Sequence, residues 1–401
     1  MNHVFLGSNM RLQNPAFQHG QWLGSVFPLL AWLILIGIQM AFPLASSAEV
    51  SPKPGRVLFD EDFSWLTQEG ADRLLQHAQE AGFDTIIPCV WHGRGVTWPS
   101  KRAPREPRWE QTVNQNPDPL GYLIKKAHAL GINVHPWFTV GLRQKDFFSE
   151  FAEPGTPEKS FNWHHAGFQD WMVGIILEVV QKYDIDGLNL DYVRTKGHCT
   201  GSSCERNYEL TRHRNLLRDI ASRSFDQAAR ESLIIWNNHA VGSLIELVAQ
   251  EGRRIRPGLF ITIDSLAGDQ QWMEQGANGL VWAQNGWIDL IYHMDYGNPL
   301  NTSFLTQLRR TITDRTKVAI LIGNYEVNPS NPALTTARSS TQVLQLLAQS
   351  RELWPESSVT ALYEYRFLTD EQIAALRAGP FKPSDRTGNA LLEPPTNIRI
   401  H

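Results

Sequence analysis

The sequence predicts an α/β protein built as a (β/α)8 TIM barrel, with an extra helical insertion after strand 4. Three observations carry that reading. Short runs rich in Val, Ile and Leu recur eight times and alternate with segments of helical period, which is the pattern of parallel strands joined by crossover helices. The runs finish in acidic, histidine or aromatic residues, and in such a barrel the C-terminal strand ends form the functional mouth. The chain has 401 residues, 42% hydrophobic and 19% charged, which suits one barrel with extensions better than a string of small domains.

The first strand is Arg56 to Asp60, and Thr67 to Glu80 has helical spacing, with Leu74, Leu75 and Ala78 on one side and Gly82 as its stop. Phe83 to Val90 is the second strand and runs into Trp91, His92 and Arg94. A helix from Leu120 to Leu130, closed by Gly131, precedes the third strand, Ile132 to Phe138. Phe168 to Lys182 is the next helix. Asp186 to Asp191 is the fourth strand, short and apolar at Leu188 and Leu190, as a buried parallel strand should be. Cys204 to Ser224 reads as the insertion and Glu231 to Arg256 as the helix returning to the barrel. Leu259 to Asp264, Trp287 to Tyr296, Val318 to Glu326 and Ser358 to Tyr365 are the last four strands, with helices expected over 270–279 and from Thr341 to Leu353.

The barrel is expected over residues 49–379. Residues 1–48 carry no Lys, Arg, Asp or Glu between Leu12 and Ala48, and Leu29 to Ile38 is nearly all aliphatic after Arg11. With Ser46, Ser47 and Ala48 as small residues at the cleavage positions, this is the pattern of a signal peptide. The stretch from Trp22 to Leu44 is also long enough to serve as an uncleaved membrane anchor. Either way the body of the protein is expected in the periplasm or secreted, touching a membrane only through this segment. Residues 380–401, with Pro380, Pro383, Pro394 and Pro395, read as a Pro-rich tail. A net charge of -4 and the absence of any Lys/Arg block give no electrostatic reason for a nucleic-acid partner. Cys199 and Cys204, five positions apart in a Gly/Ser loop, suit a local disulfide in an oxidising compartment, and Cys89 a buried thiol. A zinc site built on that pair and His198 lacks a fourth ligand. No cofactor motif and no metal-ligand spacing is expected to contribute.

In this register the strand ends present Asp60, His92 with Arg94, His135 with Trp137, Asp191 with Arg194, Asp264, Asp295, Glu326 and Glu364. Carboxylates from several strands, interleaved with aromatic rings on which sugars stack, suit hydrolysis of a glycosidic bond. Asp186 and Asp191 fall on opposite faces of one strand, so they part company: Asp186 opens the strand and serves the fold, whereas Asp191 ends it and is the candidate nucleophile or charge stabiliser. Arg194 is placed either to hold a substrate oxygen or to pair with Asp191. Asp295 and Glu364, each beside aromatic residues, are preferred as the proton donor, because a drier setting raises a carboxyl pKa. Trp91, His92, Arg94, His135, Trp137, Arg194, Asp264, Tyr296 and Glu326 are the expected substrate-binding residues.

Several segments also resemble a known family. Arg56-Val57, Val90-Trp91 through Thr97-Trp98-Pro99-Ser100, Asp118-Pro119-Leu120, His135-Pro136-Trp137-Phe138, Asp186-Gly187-Leu188-Asn189-Leu190-Asp191-Tyr192-Val193-Arg194 and Gly286-Trp287-Ile288-Asp289 are similar to glycosyl-hydrolase-like family 10. The resemblance implies a bacterial, exported β/α barrel that hydrolyses glycosidic bonds of a polysaccharide, with cell-wall glycan as one substrate, and it places the nucleophile at Asp191. The sequence departs from the family at His293-Met294-Asp295-Tyr296, where Pro-Gln commonly precedes the Tyr, and at Thr195-Lys196-Gly197, where Tyr-Pro is usual. Two other classes compete: a non-catalytic glycan-binding barrel using Trp91, Trp137 and Tyr365 as stacking platforms, and a metal-dependent deacetylase or amidase using His92, His135 and Asp191.

Overall fold

The computed structural model describes residues 53–144, 147–331 and 333–382. The expected signal peptide or anchor and nearly all of the Pro-rich tail lie outside them. Among the described residues no helix is long and apolar enough to cross a membrane.

Eight parallel strands close into a barrel: β1 (Arg56–Asp60), β2 (Thr85–Trp91), β3 (Asn133–Val134, resuming as Trp137–Thr139), β4 (Gly187–Asp191), β5 (Phe260–Ser265), β6 (Leu290–Asp295), β7 (Val318–Gly323) and β8 (Thr360–Tyr363). Closure comes from β1, which pairs with β2 through Val57 and Thr85 and with β8 through Arg56 and Thr360. β3 is interrupted because Pro136 has no N–H to give to the ladder, though the His135 N–H still reaches the Ile86 carbonyl at 3.0 Å. The strands are buried on both faces, as the continuous Val/Ile/Leu runs require.

A helix follows each strand: α1 (Gln68–Ala81), α2 (Pro119–Ala129), α3 (Ala166–Lys182), then α4 (Ser202–Arg212) and α5 (Leu216–Ser222) as the insertion ahead of α6 (Gln227–Ile255). After β5 come α7 (Gln270–Glu274) and α8 (Gly279–Gln284), and α9 (Thr302–Thr311), α10 (Ser340–Leu353) and α11 (Asp370–Ala378) complete the ring. The ends follow the local chemistry. Thr67 accepts from the Gly70 amide at 3.0 Å to start α1, and Gly82, at φ 90°, gives its N–H to Ala78 and Gln79 to stop it. The insertion owns a small core of Tyr208, Leu216, Leu233 and Trp236, closed by the Cys199–Cys204 disulfide. Just past the expected boundary, Phe381 packs edge-on against Phe83, and its carbonyl accepts from Arg56.

The N-terminal end of the barrel repeats one device. An aspartate just ahead of an even strand accepts a backbone N–H from the first or second residue of the preceding odd strand. Asp84 takes Arg56 N at 3.0 Å, Asp186 takes Val134 N at 2.8 Å, and Asp289 takes Ile261 N at 2.8 Å. Each also meets a basic side chain: Arg56 at 3.2 Å, His128 at 2.9 Å and Arg253 at 2.8 Å. These contacts fix strand register at the stability end and leave the other end for chemistry. Gly187 is required here for space, since a Cβ would lie 2.7 Å from both the His135 ring and the Phe260 carbonyl.

Candidate active site

Alternation along a strand decides which residues reach the barrel interior. On β4 the inward positions are Asn189 and Asp191, and on β5 they are Thr262 and Asp264. These two strands are in register at Leu190 and Ile263, so Asp191 and Asp264 stand side by side one position further on, on strands about 4.8 Å apart. Asn189 Nδ2 donates to Asp264 Oδ2 at 2.7 Å, and Thr262 Oγ1 donates to Asn189 Oδ1 at 2.6 Å. Asp264 Oδ1 is buried and has no partner among the described residues. It is the free face of the pair.

The two acids form the floor of a cavity of about 210 Å³ at the C-terminal mouth, walled by Phe59, Trp137, Tyr296 and Tyr363 with Glu61, Arg194 and Trp272 at its rim. Burial lifts Asp191 from its ordinary 3.8 to about 6, although the Arg194 charge and the Tyr192 amide, 2.5 Å from Oδ1, act the other way. Burial and the Asp191 charge push Asp264 well above the carboxylate range, against the bond from Asn189. The more deeply buried acid therefore holds the proton while its neighbour ionises.

Just after Asp191 the chain turns at Tyr192, whose φ of 52° lies in the left-handed region and costs about 1 kcal/mol in a non-glycine residue. The turn brings Arg194 back over the mouth, with its guanidinium 3.5 Å from the centre of the Trp272 ring and 4.9 Å from that of Tyr192. Arg194 Nη1 is buried without a hydrogen-bond partner among the described residues. It makes no direct ion pair with Asp191 and acts on it through space.

A family model for Glycosyl hydrolase-like 10 matches residues 60–156 and 153–334. The chain belongs to this family. Glycosyl hydrolase DigH of Escherichia coli strain K12 is 23% identical over 309 residues, which cover 65% of this chain and 63% of DigH. Glycosyl hydrolase YngK of Bacillus subtilis strain 168 is 25% identical over 136 residues, or 30% of this chain and 26% of YngK. The chain thus spans less than two thirds of the length of these curated relatives. Among solved structures, the glycoside hydrolase domain of PgaB (BpsB) from Bordetella bronchiseptica superposes with a TM-score of 0.59 at 11% identity, covering 82% of this chain and 97% of that domain. The alpha-L-fucosidase isoenzyme 2 of Paenibacillus thiaminolyticus gives a TM-score of 0.53 at 15% identity over 82% of this chain and 49% of its own. Those two likenesses concern the barrel fold.

Within this glycosyl hydrolase-like 10 barrel, Trp137, Asp191, Arg194, Asp264 and Tyr296 line the cavity. His92 stands behind it, with Nε2 2.9 Å from Glu61 Oε1. The other expected residues are placed elsewhere. Asp295 spends both oxygens on backbone, accepting from Gly297 N at 3.1 Å and Asn301 N at 2.7 Å. Glu364 is buried beside Asp60, Asp62 and Glu61 and does not line the cavity; burial and those charges lift it to about 8. Glu326 is exposed on a short hairpin, where Asn298 and Gln342 donate to it. Arg94 forms a two-pronged bond with buried Glu106. Trp91 is fully buried against Phe147 and Trp171. His135 faces inward two residues below Trp137, roughly 7 Å towards the N-terminal end. Burial drops its imidazole to about 4.

These positions also bear on the two competing classes. His135 and Asp191 sit at opposite ends of the barrel, so the His92, His135 and Asp191 metal set is not assembled. Among the described residues the grouping close enough to hold an ion is Glu153, Cys199 and Cys204, whose sulfurs are joined to each other. Trp91 is too buried to offer a flat face, Trp137 meets the cavity only as part of its wall, and the Tyr365 hydroxyl meets His77 at 3.1 Å. Sequence reasoning passed over Glu61, Tyr363 and Trp272. Glu61 was readable from parity: Phe59 points into the barrel, so the residue two positions on shares its face. A larger cavity of about 450 Å³ lies between α3 and the insertion, lined by His164, Trp236 and His239. No carboxylate lines it, so the acid chemistry stays at the mouth.

Proposed function

We propose that this chain is an exported glycoside hydrolase that cleaves the glycosidic bonds of a polysaccharide, working in the periplasm or outside the cell, with cell-wall glycan the first substrate to test. The observation that carries the reading is the Asp191 and Asp264 pair. Two inward carboxyls stand on neighbouring strands at the floor of an aromatic cavity, one holding a proton and one able to ionise. Glycosidic hydrolysis needs that division of labour. Asp264, with Oδ1 free, protonates the leaving oxygen, and Asp191 attacks or stabilises the oxocarbenium-like centre. Arg194 Nη1 offers a donor to a ring substituent, and burial holds the Tyr296 phenol protonated as a further donor.

The test is incubation with peptide-free cell-wall glycan and a panel of plant and microbial polysaccharides, with products identified by mass. Cleavage by the wild-type chain and none by Asp191→Asn is the expected result. Binding without product from any glycan, unchanged in Asp191→Asn, would instead establish a glycan-binding barrel.

A further inference from the structure

One acid at the mouth takes no part in the pair. Glu61, the first residue after β1, lines the same cavity as Asp191 and Asp264, and two neighbouring strands fix its position. His92 Nε2, just past the end of β2, lies 2.9 Å from Oε1, and the Tyr363 hydroxyl at the end of β8 donates to Oε2. Gln144 then orients the imidazole: its side-chain amide lies 2.6 Å from His92 Nδ1 and 2.6 Å from the His92 carbonyl. With Nδ1 accepting from that amide, the neutral ring carries its proton on Nε2, aimed at Glu61. Both carboxyl oxygens therefore accept from fixed donors, an arrangement that favours the ionised form. Burial pushes Glu61 up, but the bonds from His92 and Tyr363 and the charge of Arg108 outweigh it and hold the carboxyl below the ordinary glutamate range.

The charged and titratable groups around it come from seven strand ends: Asp60 and Asp62 at the end of β1, Cys89 and His92 at that of β2, Asp191, Tyr192 and Arg194 at that of β4, Asp264 on β5, Tyr296 after β6, Tyr325 after β7, and Tyr363 with Glu364 at the end of β8, joined by Arg108. Glu61 raises both Asp191 and Asp264, while Arg194 acts on Asp191 in the opposite sense. We propose that Glu61 is a positioning residue for the hydrolytic reaction, whose clamped negative charge keeps one proton on the Asp191 and Asp264 pair so that the donor is loaded while its neighbour is anionic. This rests on the catalytic reading of the pair.

The deciding readout needs no substrate. Carbon-13 titration of the aspartate carboxyls in the whole chain should show both midpoints of the pair moving to lower pH in Glu61→Gln, by about one unit or more, since a unit charge at an effective dielectric near 20 is worth about one unit even over about 12 Å. The whole pH–rate bell should move to acid with it, a shift that a merely structural role would not produce. Unmoved midpoints overturn the proposal even if glycan is cleaved. Moved midpoints in a chain that cleaves no glycan support the charge coupling and sink the hydrolase reading instead. Should Glu61→Gln fail to fold, titration of Glu61 in the wild-type chain decides: it must ionise at lower pH than Asp191, and the reverse order overturns the proposal.

Discussion

Changing Asp191 to Asn should abolish turnover and at the same time make the fold more stable at neutral pH. The amide is nearly the same shape, and its oxygen can still accept from the Tyr192 N–H that now lies 2.5 Å from Asp191 Oδ1. What it removes is a charge. Burial raises the folded-state pKa of Asp191 from 3.8 to about 6, so folding favours the protonated carboxyl. The sign follows from linkage: the stabilisation is full below the unfolded value and is lost as pH rises through the folded one. About 2 units at 1.36 kcal/mol each come to about 3 kcal/mol, a large part of the 5–15 kcal/mol that typically holds a domain. Asp191 is 5% exposed, so solvent screening takes little away. Urea unfolding of both proteins from pH 3.5 to 7.5 measures it. The stability of the wild type minus that of Asp191→Asn should fall by about 3 kcal/mol across that window, part of it passing through Asp264, whose own pKa the Asp191 charge raises. A difference that is flat with pH, or a variant less stable at pH 7.5, would refute the reasoning. A variant turning over at the wild-type rate would remove Asp191 from the chemistry.

Asp264→Asn can keep its bond to Asn189 and should fold normally while turnover drops on the order of 10² to 10⁴-fold, the usual worth of a general acid. The pH–rate profile should lose its alkaline limb, and a loss below tenfold would send the proton donor elsewhere. Asp295→Asn, in contrast, should change turnover by less than tenfold in the same assay and lower thermal stability by about 1 kcal/mol, because its two acceptor bonds serve only backbone. Removing the Cys199–Cys204 bridge with a double Ala variant should cost about 2 kcal/mol by loop-closure entropy, read as a lower urea midpoint; no change would mean that the insertion's small core holds the loop unaided.

Element order was legible because strand and helix periods differ, and the first strand, Arg56–Asp60, matches residue for residue. Helix α9 has no reading from the sequence, since its apolar residues are Phe304, Leu305 and Leu308 on an otherwise polar segment. Helix α11 was missed for a similar reason: Ile373 and Leu376 are the apolar residues it buries. The sequence predicts a third strand continuous through His135, yet Pro136 breaks the ladder there and leaves His135 in the lower layer of the barrel.

The site was legible where parity could be anchored. Asp191 ends a strand whose inward register Asn189 shares, so its side chain had one destination, whereas Asp264, expected among the substrate-binding residues and behind Asp295 and Glu364 as proton donor, shares that inward register on the next strand. Asp295 also ends a strand, on β6, but there the loop folds back and claims both oxygens before any substrate could. A carboxylate at a strand end is therefore available for chemistry only if the following loop leaves it unbonded, and that depends on backbone beyond the strand. At Asp191 the left-handed turn at Tyr192 leaves one backbone amide on the carboxyl. The N-terminal end shows the converse. Asp84, Asp186 and Asp289 are bound by amides on arrival and hold register. One residue type thus serves the fold at one end of the barrel and the proposed chemistry at the other, according to how many N–H groups the neighbouring backbone points at it.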